Sequence, residues 1–447
     1  MMDVGSEREE KMGLEDLEDL VLQTILLKSG PKTAAVSACV SRRFRDSASD
    51  EDLWRKFCSQ VLDLSTPEDP FGNPTPSFKV TYKSWNEGFG MYQWPLVRRV
   101  KKCWRTINNW LAINFPEAKN TLRKGVSEAE INELEDKLGL KLPIPTRLLY
   151  RFCDGQDMGG PDSTGCALGL VGGYFFYEHG VNVYLLPLHE VIMETREFSQ
   201  LGFYSQSKII VVAASAFLEK MFFLNCTTGQ LYVGTVKLAT DGQLMSCVPD
   251  ALIKSVHSMD DGQSQDAMLL WLEEHGRRLE SGMIRPREGE IRSISLFPET
   301  SPLCSTAITN GVQIRASAVF VPELSDVTHG SERYWFSYSI RMRLMPQGCM
   351  LDGVYFSSCQ LYWRHWIIRS NDDVVSDVDG EAVIGKFPLL FPEGEEFVYE
   401  SCTPLPSTSG SIEGAFTFVP GRLIDPKGRP FAVEVAQVPL EVPAYIF

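Results

Sequence analysis

No C-x-x-C pair occurs among the 11 cysteines, which are scattered along the whole chain. An odd, unclustered set in a chain of this size reads as reduced thiols, and it excludes a disulfide scaffold and a cysteine-based zinc framework. No apolar run approaches the ~20 residues of a membrane span. The best, Ile209 to Leu218, is interrupted by alanine and serine. Positive charge is also short: the net charge is −15, which argues against general binding to nucleic acid or anionic membrane. The 6 histidines form no H-E-x-x-H, and neither a G-x-S-x-G elbow nor a P-loop is present. The stretch Met1 to Lys11 is charged and lacks the apolar core of a signal peptide. These absences lead us to expect a cytoplasmic or nuclear protein with no catalytic residues, cofactor or metal.

What is present is enough material for about three domains in 447 residues. Hydrophobic content of 44% against 23% charged describes a globular chain with ample core. Leu14, Leu17, Val21 and Ile25, with Leu20 beside them, recur at intervals of three and four, the spacing of one helical face. Gly30-Pro31 stops that helix. Ala35, Val36, Cys39 and Val40 begin a second apolar stripe, and Phe44 follows a polar Ser41-Arg42-Arg43 turn. Ser49 is the expected N-cap of a third helix carrying Leu53, Trp54 and Phe57, with Asp52 three residues on. Three short helices in so few residues bury little surface alone, and such a unit usually completes its core against a partner.

The stretches Leu14-Glu-Asp-Leu17…Ile25-Leu26, Cys39-Val40-Ser41-Arg42 and Leu53-Trp54 resemble an F-box, although Glu18 stands where the family often has proline. The resemblance implies binding to a Skp-type adaptor and through it to a cullin. The residues it implies for that contact are Leu14, Leu17, Leu20, Ile25, Leu26, Cys39, Val40, Ser41, Leu53 and Trp54.

Residues 66–122 open with a proline-rich linker, Thr66 to Pro76, followed by two amphipathic patterns: Phe78, Tyr82, Trp85, Phe89, then Leu96, Val100, Trp104, Ile107, Leu111. Arg98, Lys101, Lys102 and Arg105 read as the solvated side of the second. From 123 to 285 helices precede strands, an α+β pattern. Ser127-Glu-Ala-Glu130 is a capping box ahead of Ile131, Leu134 and Leu138, and a second helix from Pro145 places Leu148, Leu149 and Phe152 inward. Strand-like runs cover 170–177, 181–186, 209–214, 221–226 and 231–236, with a turn at Thr227-Thr-Gly229. A helix from Ala267 to Leu279 closes the segment. Ser127 to Glu130, Glu135, Leu140-Lys-Leu142-Pro143 and the Phe152-Cys-Asp-Gly155 corner resemble the SUKH superfamily, which implies a protein-binding module.

From 286 to 447 strands dominate. Tyr334, Phe336, Tyr338, Ile340, Met342 and Leu344 alternate with polar or amphipathic residues, and strands at regular spacing with glycine and proline turns point to an all-β sandwich. Arg333-Tyr-Trp-Phe-Ser-Tyr338, Arg364-His-Trp-Ile-Ile368, Gly380-Glu-Ala-Val-Ile-Gly385 and Ser409 to Phe416 resemble the bacterial ApaG family, whose fold is a fibronectin-type sandwich. ApaG proteins often carry G-x-G-x-x-G in that loop; here Ala382 takes the middle position. Without a helix N-terminus after the loop, we read it as a turn rather than a phosphate cradle. His365 reads as a hydrogen-bonded structural residue, and Asp372-Asp373 with Asp377-Val-Asp379 as a solvated hairpin. The chain is thus expected to be multi-domain: a small all-α F-box region (1–65), linker and helices (66–122), a SUKH-like α+β domain (123–285) and an ApaG-like β-sandwich (286–447). The resemblances imply a non-catalytic substrate receptor of an SCF-type cullin–RING ubiquitin ligase, with the C-terminal domains holding an unknown target protein. The alternative is a ligand- or phosphate-sensing protein acting through the ApaG-like domain.

Overall fold

The computed structural model describes residues 17–157, 167–176, 179–199, 208–235, 244–259, 262–287, 292–326 and 333–446. The chain forms two compact units, residues 1–102 with 258–264, and residues 103–257 with 265–447.

In the first unit the helices are α1 (Asp19–Ser29), α2 (Pro31–Ser37), α3 (Arg42–Ser47), α4 (Glu51–Leu62), α5 (Phe78–Phe89) and the start of α6 (Trp94–Asn114). Among the described residues, four short helices, not three, precede residue 63. Gly30, at φ +85° with open space around it, turns α1 into α2, and Pro31 supplies the fixed φ suited to a first helical position. Asp50, not Ser49, caps α4: its carboxylate accepts the Leu53 amide at 3.0 Å. The inward face of α1 is Leu22 and Leu26, which are 0% and 2% exposed, whereas Val21 and Ile25 face outward. The two apolar stripes lie side by side on one helix, and spacing alone cannot say which of them turns inward. Trp54 anchors the interior, with its ring 5.4 Å from both Phe57 and Tyr82 and its Nε1 donating to the Ala48 carbonyl at 2.7 Å. The proline-rich stretch is tied down as well. Asp69 accepts from the Phe71 and Asn73 amides at 2.9 Å, and the Glu68 carbonyl receives the Trp85 indole at 3.0 Å.

The second unit contains α7 (Pro116–Asn120), α8 (Glu128–Leu138), α9 (Ile144–Phe152), α10 (Leu188–Ser199) and α11 (Ala267–Glu280). A small pair, β1 (Leu122–Lys124) and β2 (Cys153–Gln156), flanks α8 and α9 in the chain. The capping box at Ser127 and Glu130 forms as expected. Glu135, 1% exposed, binds the Lys141 ammonium at 2.6 Å, the Leu142 amide at 3.0 Å and the Arg147 guanidinium, so it ties α8 to the start of α9. Asp266 caps α11 through the Leu269 amide at 2.9 Å and holds α9 through the Thr146 amide and hydroxyl at 3.0 and 2.7 Å. Phe152, expected inward, is only half-buried at the end of α9.

These helices accompany a sheet of β3 (Gly172–Phe176), β4 (His179–Leu185), β5 (Ile209–Ser215), β6 (Met221–Asn225), β7 (Leu231–Gly234), β8 (Met245–Ser246), β9 (Arg285–Arg287) and β10 (Ser293–Ser295). Its order is β8-β7-β6-β5-β4-β3-β10-β9, antiparallel except where β10 joins β3 in parallel. Helix α10 lies in sequence between strands β4 and β5, where only strands were expected.

The β-sandwich pairs a sheet of β11 (Cys304–Thr309), β12 (Val312–Phe320), β13 (Tyr334–Leu344) and β19 (Phe397–Leu405) with a second built on β16 (Cys359–Ser370), β17 (Asp373–Glu381), β20 (Ser409–Arg422) and β22 (Phe431–Glu441). Short strands β14 (Cys349–Leu351), β15 (Val354–Phe356), β18 (Leu389–Leu390) and β21 (Asp425–Pro426) complete it. Between the sheets the Trp366 ring meets Tyr338 at 6.1 Å and Phe416 at 5.2 Å. The alternation read in β13 does not become one wet face and one dry face: every residue from Phe336 to Met342 is buried. The α+β part and the segment leading into β11 cover the polar side. Ser337 Oγ donates to the Phe175 carbonyl at 2.6 Å, and Arg341 pairs with Glu299 at 2.6 Å.

Candidate functional site

The first unit leaves an apolar surface on its N-terminal helices. Leu20 is 74% exposed, Val21 43%, Ile25 37%, Val36 64% and Val40 69%, and Cys39 is exposed too. Among the described residues of this unit, only Phe71, Val80 and Met91 are other large apolar side chains so exposed. Isolated exposed apolar residues need no explanation, but a concentration on two consecutive helices and the turn that follows them is the ordinary mark of a protein interface. The helices carrying it are fixed from below. Arg43 holds the start of α1 through the Leu17 carbonyl and the Asp19 carboxylate, the latter at 3.0 Å. Ser41 caps α3 by accepting the Phe44 amide at 3.4 Å.

The ten residues named from the sequence fall into distinct places. Leu20, Ile25, Cys39 and Val40 lie on the surface; Leu17 and Ser41 are half-buried. Leu26, Leu53 and Trp54, 2–4% exposed, are interior and support the surface from beneath. Leu14 lies outside the described residues. Val36, the neighbour on α2, joins the exposed group. In the interior of the unit the Cys58 thiol, which donates to the Phe78 carbonyl at 3.4 Å, is pushed up to about 12 by burial and by nearby Glu51. It is a packing group, not a nucleophile.

The sandwich loop after β17 has its own geometry. Ala382 and Ile384 take left-handed backbone at φ +60° and +44°, Gly385 takes φ +73°, and Val383 bridges Lys386. Arg364 donates to the Ala382 carbonyl at 2.7 Å. The loop leads to β18, and among the described residues no helix follows it in the chain. His365, Asp377 and Asp379 bring three potential ligand atoms within 4.8 Å. His365 Nε2 is engaged with Asp377 at 2.7 Å, however, and Asp379 accepts the Trp363 indole at 3.1 Å.

Residues 325–420 match the ApaG domain family. The chain is 58% identical to F-box protein SKIP16 of Arabidopsis thaliana over 98% of its own length and all of that protein's. It is 25% identical to human F-box only protein 3, over 86% of this chain and 74% of the relative. Protein ApaG of Nitrosomonas europaea shares 33% identity over 30% of this chain and 91% of its own length. A match of that extent and identity to the plant protein, with the sandwich matching ApaG, settles the family: the chain belongs to the F-box proteins that carry an ApaG domain.

Proposed function

We propose that this chain is the substrate receptor of an SCF-type cullin–RING ubiquitin ligase, working in the cytoplasm or nucleus. The observation that carries the reading is the exposed apolar group on α1, α2 and the turn after them, which takes a Skp-type adaptor and through it a cullin. The second unit holds the target. Its α+β part, SUKH-like in the capping box, the Glu135 junction and the Phe152–Gly155 corner, serves as a protein-binding module beside the ApaG sandwich. The chain performs no bond chemistry itself. It raises the effective concentration of a target lysine near the charged conjugating enzyme, a gain that comes from tethering alone.

The decisive variant is Leu20→Ala with Val40→Ala, because both side chains are exposed and the fold should tolerate their loss. Truncating two interface anchors should cost about 2–4 kcal/mol, roughly thirty- to a thousand-fold in affinity. Co-purification of the adaptor should therefore vanish while the melting temperature holds. Arg45→Ala, an exposed site, is the control and should change little. Full adaptor retention by the double variant would overturn the reading.

A further inference from the structure

In the second unit, Phe176, His179, Phe217, Glu219, Thr235, Glu323 and Leu324 line a pocket of about 440 Å³. It lies where the α+β part meets the chain just before the long β13 strand. Glu323 is fixed from behind: the Tyr174 hydroxyl donates to its Oε2 at 2.7 Å, and Lys220 donates to that same hydroxyl at 3.1 Å. The Lys220 ammonium lies 3.8 Å from Oε1, beyond hydrogen-bond reach. The Glu323 side chain is only 5% exposed, yet its Oε1 makes no hydrogen bond among the described residues. Glu219 Oε2 is in the same condition, while Oε1 is held by His179 at 2.8 Å. Two carboxylates, each with one oxygen lacking a donor, thus line one cavity with Phe176, Phe217 and Leu324. A buried acceptor left open costs free energy that a donor from outside would recover.

We infer that this pocket is a binding site for an alkylammonium or alkylguanidinium group, its cation on Glu219 and Glu323 and its apolar stem against Phe176, Phe217 and Leu324. The chemistry follows from the lining. Carboxylate oxygens without donors call for N–H groups, charged donors make the stronger hydrogen bonds, and an apolar wall with an aromatic face suits a methylene stem. Burial pushes the Glu323 carboxyl up and the Lys220 ammonium down, which disfavours charge on both. A cation arriving beside Glu323 favours its charged form. Lys220 stays committed to Tyr174, over whose ring it sits at 4.7 Å. Under the receptor reading, the source of such a group is a lysine or arginine side chain of the target; a free small amine shares the same chemistry.

The test uses the full chain and ligand-observed NMR titration. The probes are n-butylamine and n-butylguanidine as free cations, N-acetyl-lysinamide and N-acetyl-argininamide as protein-like ones, n-butanol as the neutral control and inorganic phosphate as the anionic one. Fragments of this size should bind in roughly the millimolar range. We expect at least one cation to bind ten-fold tighter than n-butanol and to weaken ten-fold or more in Glu219→Gln. Tighter binding of the blocked amino acids assigns the site to a protein side chain, and tighter binding of the free amines to a small molecule. Glu323→Gln should weaken binding as well, but it disturbs the contact with Lys220. The half-exposed Glu219 variant, checked by thermal melting, therefore carries the decision. Equal binding of n-butanol, unchanged affinity in Glu219→Gln, or binding of phosphate in place of the cations overturns the proposal. None of these readouts involves the adaptor, so failure here leaves the α1–α2 surface standing, and loss of that reading leaves this one.

Discussion

At the scale of single residues, two positions show how local geometry sets the cost of a change. Ala382 occupies φ +60° with its side chain 4% exposed, a backbone region that disfavours a β-carbon by roughly 1–2 kcal/mol. Ala382→Gly should relieve that conflict against glycine's greater unfolded-state freedom, and so raise the melting temperature slightly or leave it unchanged. Gly385→Ala, at φ +73°, should cost on the order of 1 kcal/mol. Gly380 has ordinary backbone, and an added β-carbon would meet the Arg364 guanidinium, held by the Ala382 carbonyl, at 3.3 Å, a contact that a small shift of that side chain relieves. Gly380→Ala should therefore be nearly silent, and denaturant titration of the three variants separates these outcomes. Glu135 is the opposite kind of position. Burial raises its carboxyl, but hydrogen bonds from Lys141, the Leu142 amide and Arg147 outweigh that and hold it below the ordinary value. Glu135→Ala leaves Arg147 paired with Glu128 and Asn132, but it removes the buried acceptor of the Lys141 ammonium and the Leu142 amide, and should cost about 1–3 kcal/mol. A loss below about 1 kcal/mol by urea titration would show that acceptor to be dispensable.

At the scale of elements, the sequence was most legible where one periodicity dominated. The spacing of Phe78, Tyr82, Trp85 and Phe89 became the buried face of α5, and that of Leu96, Val100, Trp104, Ile107 and Leu111 became the buried face of α6. The capping box set the start of α8 to the residue. Legibility failed where two patterns overlapped. Helix α1 offers adjacent stripes, so the one that turned inward could not be chosen without tertiary structure. Helix α10 hides behind the run Val191-Ile192-Met193, which reads locally as strand, while its buried stripe includes the polar Thr195. The candidate surface was legible only in part, because a motif marks which residues a unit needs without saying which of them form its floor. Leu53 and Trp54 are that floor. In strand β13, Ser337 looked like a solvent-facing residue and is fully buried. A small hydroxyl there lets the Phe175 backbone approach to 2.6 Å. Ser337→Leu should overpack this seam and lower stability by about 1–3 kcal/mol, readable as an earlier urea midpoint.

At the scale of the whole molecule, acid should weaken the second unit through His275. Its ring stacks on Trp271 at 5.1 Å and its Nε2 donates to the Leu170 carbonyl at 2.8 Å. Burial pushes its pKa down to about 4 from the ordinary 6.5. The unfolded chain then takes up a proton near pH 6.5 that the folded chain refuses, so stability is level above that pH and falls between about 6.5 and 4. A shift of that size corresponds to roughly 3 kcal/mol across the interval. Unfolding at pH 7.5, 6 and 5 should show this decline, and His275→Gln should flatten it from a lower starting value. The seam between the α+β part and the sandwich has one more consequence, and it concerns engineering. Phe175 offers its carbonyl to Ser337, β10 extends the sheet in parallel from β3, and Arg287 pairs with Glu400 at 3.3 Å. A chimaera that grafts a foreign sandwich behind this α+β part would inherit a mismatched joint: leucines where serines must sit, and an arginine facing no acid. New target specificity is better sought by transplanting residues 103–447 whole, or by altering side chains that the seam does not use.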